Sequence, residues 1–334
     1  MIYDIITIGS ATRDGFFEKV PFVLIKDKRF ITQKGIALPL GAKITVPKVH
    51  FLTGGGATNT ATTFSRQGLK TLAIFRVGKD VSGETILQEM INEGVDVSFV
   101  QIDYVKPTAY SVIFLTKKGE RTILSYKGCA ENLSSLEIPF NQLKTKWLFL
   151  GSLGKEKNIL KKIILWAKRE NIKIAINPGR NELHFLKKNK KYLSYFDVFI
   201  VNQEEASFLT GVSYQKEKEI FKKLDKWVKG IVVMTKGEKG VSVSNGKTLF
   251  EAPSFSKKKP VDQTGAGDAF ASGFVSVLIE NNNLDEKTIK KAITFASINA
   301  SSVIQSIGAK KGILYKKAAV CRQGGKFKIL TIQL

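Results

Sequence analysis

Short runs of almost continuous apolar residues alternate with longer stretches of helical periodicity along most of this chain. The apolar runs lie at residues 5–8, 72–77, 147–150, 172–176, 198–201 and 231–234. A strand made almost entirely of apolar residues is buried on both faces, as in a parallel sheet that is covered by helices. The alternation therefore predicts an α/β fold in which βαβ units build a mostly parallel central sheet.

The stretches between the runs place apolar residues three and four positions apart, which is the spacing of a helix with one buried face. The predicted helices cover residues 58–67, 83–93, 156–169, 204–209 and 217–228, followed by two more at about 266–279 and 285–304. A chain of 334 residues can form one large domain with an appendage, or two domains.

Two parts of the chain interrupt this alternation with short strand-like runs. Residues 16–51 hold several alternating runs without a helical segment, and residues 109–126 have the pattern of a hairpin with its turn at 117–120. We expect these parts to combine into a small sheet on one side of the core. We interpret that sheet as a lid, because long insertions often cover active sites, and a decorative surface sheet is the alternative.

The net charge of +24 is the unusual feature of the composition, with 53 cationic and 29 acidic residues. Clustered cations bind the phosphates of nucleic acids or of anionic membranes. Only eight of these cations are arginine, however, whereas base recognition and bidentate phosphate contacts favour the planar guanidinium. The lysines are dispersed along the chain, so we interpret the charge as belonging to solvated surfaces and expect no nucleic-acid partner.

The sequence predicts neither secretion, nor a membrane span, nor a metal site formed by Cys and His. The N-terminal region lacks the basic start and apolar run of a signal peptide, and no run of about 18 apolar residues occurs. Cys129 and Cys321 match no metal or redox spacing, and His50 and His184 have no second ligand nearby in sequence. We expect a cytoplasmic protein with two thiols and no contact with membranes.

The strongest chemical signal is the segment VDQTGAGDAFASGF at residues 261–274. Gly265 and Gly267 permit a tight turn with accessible backbone N–H groups, and the positive end of the following helix points at that turn. Such a turn binds anions such as phosphate. A carboxylate at Asp268 would repel a resting phosphate, so we interpret it as the base for a hydroxyl that attacks the phosphorus. A glycine-rich helix start with an acidic first turn is the alternative.

A second glycine cluster, GGGATNTA at residues 54–61, also precedes a helix. It lacks the Lys and the Ser or Thr that close a Walker A loop, and Asn59 stands where a dinucleotide fingerprint has its third glycine. What remains is a turn of closely approaching backbone with an amide, Asn59, that is suited to hydrogen-bonding a polyol. Tight packing between helix and strand explains the glycines equally well.

Polar residues also follow two of the predicted strands, and ligands of open α/β sheets bind at the carboxyl ends of strands. Asn202 and Glu205 could hold a hydrated Mg²⁺, although a helix N-cap with an acidic first turn is the simpler interpretation. The segment TKGEKG at 235–240 could form a loop that carries a phosphate-facing cation, or it could be merely a β-turn.

Taken in order, these segments resemble the ribokinase-like (PfkB) family of carbohydrate and nucleoside kinases, and the resemblance extends from Asp4 to about Gly312. It implies a three-layer α/β/α sandwich with a mostly parallel central sheet and a small β-sheet lid. It further implies a single domain over residues 1–334, with the lid strands at about 16–51 and 109–126. The implied activity is ATP-dependent phosphorylation of a hydroxyl, a primary alcohol, on a sugar or nucleoside.

The resemblance also implies roles for individual residues. Asp268 is similar to the family's catalytic base, and the backbone N–H groups of Gly265, Ala266 and Gly267 are similar to its anion hole. The pair that organises Mg²⁺ and its waters is matched by Asn202 and Glu205. The nucleotide-binding positions are matched by Thr235, Lys236, Gly237 and Asn299. The polyol-binding positions are matched by Asp14, Gly55, Gly56 and Asn59.

ATP and Mg²⁺ are the cofactors that the resemblance implies, and K⁺ is a further candidate that would act at the loops around Asp262 and Gly308. A homodimer through the β lid is the implied assembly. The acceptor stays open, because ribose-specific members usually have a Lys in the motif GGKGANQA, where this chain has GGGATNTA. Arg121, in the predicted hairpin, could contact a phosphorylated sugar.

Three other functions remain open on the sequence alone. The first is a catalytically silent sensor of nucleotides or sugars on the same fold, against which the intact Asp268 argues. The second is a basic nucleic-acid-binding protein, which predicts binding with a steep dependence on salt. The third is a vitamin kinase with a related GxGD base, which the glycine cluster at 54–61 makes the less favoured choice.

Overall fold

A large sheet with helices on both faces forms the centre of the protein in the computed structural model, which describes residues 2–30, 33–115, 121–255, 259–316 and 327–333. The strands are β1 (Tyr3–Ile8), β2 (Thr12–Glu18), β3 (Val23–Lys26), β4 (Lys34–Ala37), β5 (Lys48–Gly54), β6 (Thr71–Ile74), β7 (Arg76–Gly78), β8 (Gln101–Asp103), β9 (Tyr110–Leu115), β10 (Arg121–Tyr126), β11 (Thr145–Leu150), β12 (Lys173–Ile176), β13 (Val198–Asn202), β14 (Ile231–Thr235), β15 (Val241–Ser244), β16 (Thr248–Ala252) and β17 (Leu330–Gln333). The helices are α1 (Gly56–Arg66), α2 (Val81–Asn92), α3 (Ile159–Arg169), α4 (Arg180–Lys188), α5 (Gln203–Thr210), α6 (Glu217–Trp227), α7 (Ala266–Asn281) and α8 (Glu286–Val303).

The central sheet has nine described strands in the order β17-β16-β15-β14-β13-β12-β11-β1-β6. The strands from β14 to β6 run parallel and hold five of the six apolar runs almost completely, together with the first part of the run at 72–77, whose end lies in β7 of a separate two-stranded sheet with β8. The predicted α/β class is therefore confirmed. Three antiparallel strands, β15, β16 and β17, extend the sheet at one edge and were not predicted.

Consecutive residues of the strands point to opposite faces of the sheet and meet different helices. Ile6 and Ile8 belong to a buried cluster with residues of α3, α4, α5 and α6. Ile5 belongs to a second cluster, in which Phe270 and Phe274 of α7 pack with α8. The sheet is thus the middle layer of three, as predicted.

A separate four-stranded sheet, in the order β10-β9-β2-β5, is formed by the two β excursions of the sequence. Its strands lie at or near the predicted ranges 16–51 and 109–126, although β2 begins earlier, and the predicted turn at 117–120 falls outside the described residues. The predicted small sheet is confirmed. That the entire chain is one domain, with this sheet acting as a lid, stays a prediction.

The two faces of the small sheet have different surroundings. Phe16, Ile113 and Leu115 are buried together and pack against Ile307, which precedes the loop at Gly308, so this inner face is turned towards the main sheet and its loops. The strand register places an exposed apolar group on the opposite face. Phe51 and Leu124, which are 56% and 59% exposed, are two of these outer residues.

The remaining expectations concern single residues and membranes. Cys129 is buried, and burial raises the pKa of its thiol to about 11, whereas Cys321 lies outside the described residues. His50 contacts the Glu18 carboxylate and His184 packs edge-on against Phe208. Among the described helices, none is both long and apolar enough to cross a membrane.

Candidate active site

The turn before α7 is built so that only glycine fits at its centre. Gly265 caps the helix with φ of 78°, in the left-handed region that L side chains avoid. A Cβ at this position would lie 2.4 Å from the Cβ of Ala309. At Gly267, by contrast, a Cβ would meet no atom of the described residues within 4 Å. The turn leads into the positive end of a helix of 16 residues, which is a suitable site for an anion, although the N–H of Ala266 also donates a long bond of 3.4 Å to the carbonyl of Gln263.

Asp268 lies in the first turn of α7 and contacts α1 directly. The side-chain amide of Asn59 donates a hydrogen bond of 2.8 Å to Oδ2 of Asp268. Burial raises the pKa of the Asp268 carboxyl, and the bond from Asn59 opposes that rise because it stabilises the charged form. A raised pKa beside an anion site is typical of a group that exchanges protons.

The glycine cluster forms the start of α1 beside this carboxylate. Gly55 has φ of 100°, and a Cβ there would lie 2.5 Å from the carbonyl oxygen of Ser10. At Gly56, the nearest atom to an added Cβ is Oδ1 of Asp268, at 3.8 Å. Oδ1 of Asn59 is buried and has no hydrogen-bond partner among the described residues. A buried hydrogen-bond acceptor without a partner among the described residues thus lies next to Asp268.

Asp14, on β2 of the small sheet, lies close to the glycine cluster. It is buried on the inner face and accepts a hydrogen bond of 3.1 Å from Thr12 Oγ1. Burial raises the pKa of Asp14, which the hydrogen bonds from Ser111 and Thr12 partly offset. A Cβ at Gly54 would lie 2.3 Å from Asp14 Oδ2, so the glycine leaves room for this carboxylate. The polar groups of Asp14 and Asn59 suit the recognition of several hydroxyls.

A cavity of about 510 Å³ lies on the other side of the anion turn. Ala266 and Gly267 line it together with Thr235 and Gly237 from the end of β14. Its remaining lining includes the apolar residues Val241, Pro253, Phe255, Phe270, Ala300 and Ile304 and the polar residues Arg121, Glu238, Lys259, Gln263, Ser297 and Ser301. A mostly apolar cavity that opens onto an anion turn can accommodate a flat ring that carries phosphates.

Two residues predicted for the nucleotide side have other contacts. The Lys236 ammonium lies 3.1 Å from the Glu217 carboxylate, on α6, and does not line the cavity. Asn299 is fully buried, and its amide donates to the carbonyl of Ala269 and accepts from the N–H of Leu314. Asn299 therefore fastens α8 to α7, and its proximity to a nucleotide stays a prediction.

Asn202 and Glu205 form the helix cap that the sequence offered as the simpler interpretation. Asn202 Oδ1 accepts from the N–H of Glu205, and Glu205 Oε2 accepts from the N–H of Asn202, both at 2.8 Å. Burial raises the pKa of Glu205. In the described ranges no three His, Cys, Asp or Glu side chains are grouped closely enough to form a metal cage. One carboxylate and one amide are sufficient to bind an ion that keeps most of its water molecules, as Mg²⁺ does.

The structure adds contacts that the sequence did not reveal. Asp262 is buried, and its Oδ2 accepts a 2.9 Å hydrogen bond from the N–H of Gly308, so the two loops that the sequence singled out for K⁺ do meet. Lys310 follows closely and is buried. Its ammonium donates to Thr53 Oγ1 at 2.5 Å and lies 3.3 Å from the Glu89 carboxylate. Lys310 therefore joins the loop behind the anion turn to the strand that leads into the glycine cluster.

Comparisons with known proteins identify the family of the chain. The chain matches the family described as pfkB family carbohydrate kinase over residues 28–314. It is 28% identical to a ribokinase of Haemophilus influenzae over 278 residues, which cover 82% of this chain and 88% of that protein. It is 27% identical to a cytidine kinase of Thermococcus kodakarensis over 254 residues, which cover 75% of this chain and 87% of that protein.

Solved structures share the fold. A ribokinase of Giardia lamblia superimposes with a TM-score of 0.78 at 20% identity, covering 96% of this chain and 98% of that one. A ribokinase of Arabidopsis thaliana in complex with ribose and ATP gives a TM-score of 0.75 at 21% identity, again over 96% and 98% of the two chains.

Proposed function

The chain belongs to the pfkB family of carbohydrate kinases, and from this premise we propose that it transfers the γ-phosphoryl group of ATP to a primary alcohol of a sugar or nucleoside. The observation that carries the proposal is the contact between Asn59 and Asp268. It brings together, beside an anion turn, a carboxylate of raised pKa and an amide oxygen that has no hydrogen-bond partner within the described part of the chain. A base, a hydroxyl-binding group and a phosphate site are what phosphoryl transfer to an alcohol needs.

In the proposed reaction, Asp268 takes the proton of the acceptor hydroxyl. The oxygen then forms a bond to the γ-phosphorus, and the bond from that phosphorus to the bridging oxygen of ADP breaks, with the electron pair leaving on ADP. The N–H groups of Gly265, Ala266 and Gly267 stabilise the charge on the phosphoryl group in transit. Asp268 afterwards releases its proton to water, so the products are ADP, the phosphorylated acceptor and one proton.

The nucleotide occupies the 510 Å³ cavity in this proposal. Its base lies among the apolar residues, which include Val241 and Phe255, and its phosphates run towards the anion turn past Thr235 and Gly237. Asn202 and Glu205 would hold Mg²⁺ through its waters. When bound, the ion neutralises charge on the phosphates. Lys236 could reach a phosphate only after leaving Glu217.

The acceptor lies between α1 and the inner face of the small sheet. Asp14 and Asn59 read its hydroxyls, and the absence of side chains at Gly55 and Gly56 leaves room beside Asp268. Sugars and nucleosides both fit this description. Of the two relatives named above, the ribokinase is named for a sugar and the cytidine kinase for a nucleoside. A K⁺ requirement is a further part of the proposal, at the loops joined by Asp262 and Gly308.

A second copy of the chain would cover the outer face of the small sheet. Phe51, Leu124 and Tyr126 share this face and are all more than half exposed. Burial of such a patch favours association. Sedimentation velocity tests the dimer, and a monomer at micromolar concentration would refute it.

An acceptor screen tests the proposed activity. Purified protein, MgATP and a panel of pentoses, hexoses, hexose phosphates, acid sugars and nucleosides are compared by formation of ADP. We expect ADP release that depends on one class of acceptor. Nucleotide binding without turnover on any acceptor would instead identify a silent sensor, and binding to RNA or DNA with a steep salt slope would favour the nucleic-acid alternative.

A further inference from the structure

Two short strands between β2 and β5 form a hairpin that stands apart from the larger sheets. β3 and β4 pair with each other in antiparallel register, and within the described ranges they pair with no other strand. We call residues 23–30 and 33–43, which contain both strands and the loop after β4, the β3–β4 hairpin. An isolated two-stranded ribbon is only marginally stable in water, so this hairpin is a candidate for contact with a partner.

Large apolar side chains are exposed on both faces of the β3–β4 hairpin. Leu24 pairs with Ile36 on one face. Val23 and Ile25 point to the other face, because successive residues of a strand alternate between faces. Val23 and Leu24 are 63% and 60% exposed. Further exposed apolar side chains of the hairpin are Ile25, Phe30, Leu38 and Leu40, of which Leu40 is fully exposed. A cluster of exposed apolar side chains marks an interaction site.

The same part of the chain is strongly basic. Residues 19–48 include seven cationic residues and a single acidic residue, Asp27. Asp27 is paired with Arg29. Lys26 and Lys28, on either side of Asp27, are exposed. Binding to an anionic lipid surface increases with both the apolar area that enters the lipid and the positive charge of the protein. The β3–β4 hairpin combines both.

The two features together favour a lipid surface over the other kinds of partner. A second copy of the chain would bring a second basic hairpin against the first, and like charges that face each other oppose association. Interfaces with nucleic acids are polar, so they would leave the exposed leucines without apolar contacts. A protein groove covers one face of a ribbon, whereas the boundary between lipid headgroups and acyl chains surrounds the side chains of both faces.

We propose that the β3–β4 hairpin binds the surface of an anionic lipid bilayer. Leu24 and Leu40 enter the boundary between headgroups and acyl chains, and the lysines contact the lipid phosphates. The strands themselves stay at the depth of the headgroups, because each has one edge whose backbone groups pair with no described strand and need water. Our expectation of no contact with membranes rested on the dispersal of the lysines in sequence, and the fold removes that ground at this hairpin. Such binding does not depend on the proposed kinase activity.

Sedimentation with lipid vesicles tests this binding. The full chain is mixed with vesicles of phosphatidylcholine alone, or of phosphatidylcholine and phosphatidylglycerol in a ratio of about 7:3, at about 0.1 M salt. We expect binding to the anionic vesicles to be about tenfold tighter or more than to the neutral ones, and to weaken as the salt concentration rises. Equal binding to both kinds of vesicle, or no binding to either, would overturn the proposal.

A pair of charge substitutions shows whether the hairpin is the part of the chain that binds. Lys26→Gln with Lys28→Gln removes two charges and should weaken binding to the anionic vesicles by about tenfold or more. The matched control is Lys287→Gln with Lys291→Gln, which removes two exposed charges from α8 and should change the affinity by less than about threefold. Equal losses in both pairs would assign the binding to the total charge of the chain and not to the hairpin.

The apolar contribution has a test of its own. Leu24→Ser with Leu40→Ser should weaken vesicle binding by about tenfold or more, because both side chains would lose their burial in lipid. The control is Leu136→Ser with Leu165→Ser, which changes two leucines exposed elsewhere and should leave binding within about twofold. All the substituted residues are exposed, so these variants should fold like the natural chain. If the hairpin pair leaves vesicle binding unchanged and instead converts a dimer into a monomer in sedimentation velocity, the surface belongs to a second copy and the proposal is wrong.

Discussion

Asn59 on α1 donates a 2.8 Å hydrogen bond to the carboxylate of Asp268 on α7, although 209 positions of sequence separate the two residues. The bond joins α1 and α7, each of which follows a glycine, close to their N-terminal ends. It holds the carboxylate between the anion turn and the side of the site that we propose for the acceptor. The proposed chemistry depends on this single contact more than on any other.

Replacement of the proposed base should remove turnover without unfolding the protein. Asp268→Asn keeps the shape and an oxygen that can accept the bond from Asn59, but it cannot take a proton. We expect kcat to fall by about 100- to 10,000-fold and the Kd of ATP to change little. The coupled ADP assay and calorimetry measure these quantities. Asp225→Asn is the control, since Asp225 is also a carboxyl whose pKa burial raises, it lies on α6, and it should stay active.

The pH dependence of kcat should show the raised pKa of Asp268. The base works only when ionised, so activity falls as pH decreases through its pKa, which lies above the ordinary 3.8 because of burial. Asn59→Ala removes the hydrogen bond that stabilises the charged form. The acidic limb of the profile should therefore move to higher pH in this variant. An acidic limb that stays in place or moves to lower pH would show that Asn59 does not stabilise the charged form of the titrating group.

The two glycines of the anion turn should respond differently to the same substitution. Gly265→Ala places a Cβ in a left-handed conformation and 2.4 Å from the Cβ of Ala309, which should lower the free energy of unfolding by about 2 kcal/mol or more. Gly267→Ala adds a Cβ that meets no atom of the described ranges within 4 Å and should change the free energy of unfolding by less than about 0.5 kcal/mol. Urea denaturation followed by circular dichroism compares them, and equal losses would contradict the described turn.

Glu205 should affect the metal dependence of the reaction. Glu205→Gln retains an oxygen that can accept from the N–H of Asn202, so the helix cap should survive. The loss of the charge should raise the Mg²⁺ concentration that gives half-maximal rate by about tenfold. Glu204→Gln, its exposed neighbour, removes the same charge outside the cap and serves as the control. If both variants respond alike to Mg²⁺, the metal role of Glu205 is wrong.

Much of the fold could be predicted because a strand that is buried on both faces is an almost continuous apolar run in the sequence. The parallel strands β11 to β14 are apolar at nearly every position, and each was predicted. By contrast, α4 was not predicted, because its sequence is rich in charge and only Glu182, Leu183 and Leu186 are buried. The short strand β15, with sequence VSVS, has too little apolar length to differ from a turn region.

The candidate site was predictable only where its chemistry is local. Gly265, Gly267 and Asp268 are neighbours in sequence, so their combination is visible there. The contact of Asp268 with Asn59 could not be predicted, since nothing near Asn59 in sequence points to a contact with α7. The charged contacts of the fold have no local signal either. Lys310 and Lys311 are adjacent lysines, and only the folded chain makes one buried and the other exposed.

This difference between the two lysines gives a direct test of the contact behind the anion turn. Lys310→Met removes an ammonium that is only 7% exposed and that contacts both the Thr53 hydroxyl and the Glu89 carboxylate, which among the described residues then keeps only the hydrogen bond donated by Thr53. Because Glu89 remains 34% exposed and water can reach it, we expect the free energy of unfolding to fall by about 1–3 kcal/mol rather than more. Lys311→Met removes the same chemical group at the surface and should change the free energy of unfolding by less than about 0.5 kcal/mol. Urea denaturation of both variants measures the difference, and losses of equal size would show that Lys310 contributes no more to the fold than an exposed lysine does.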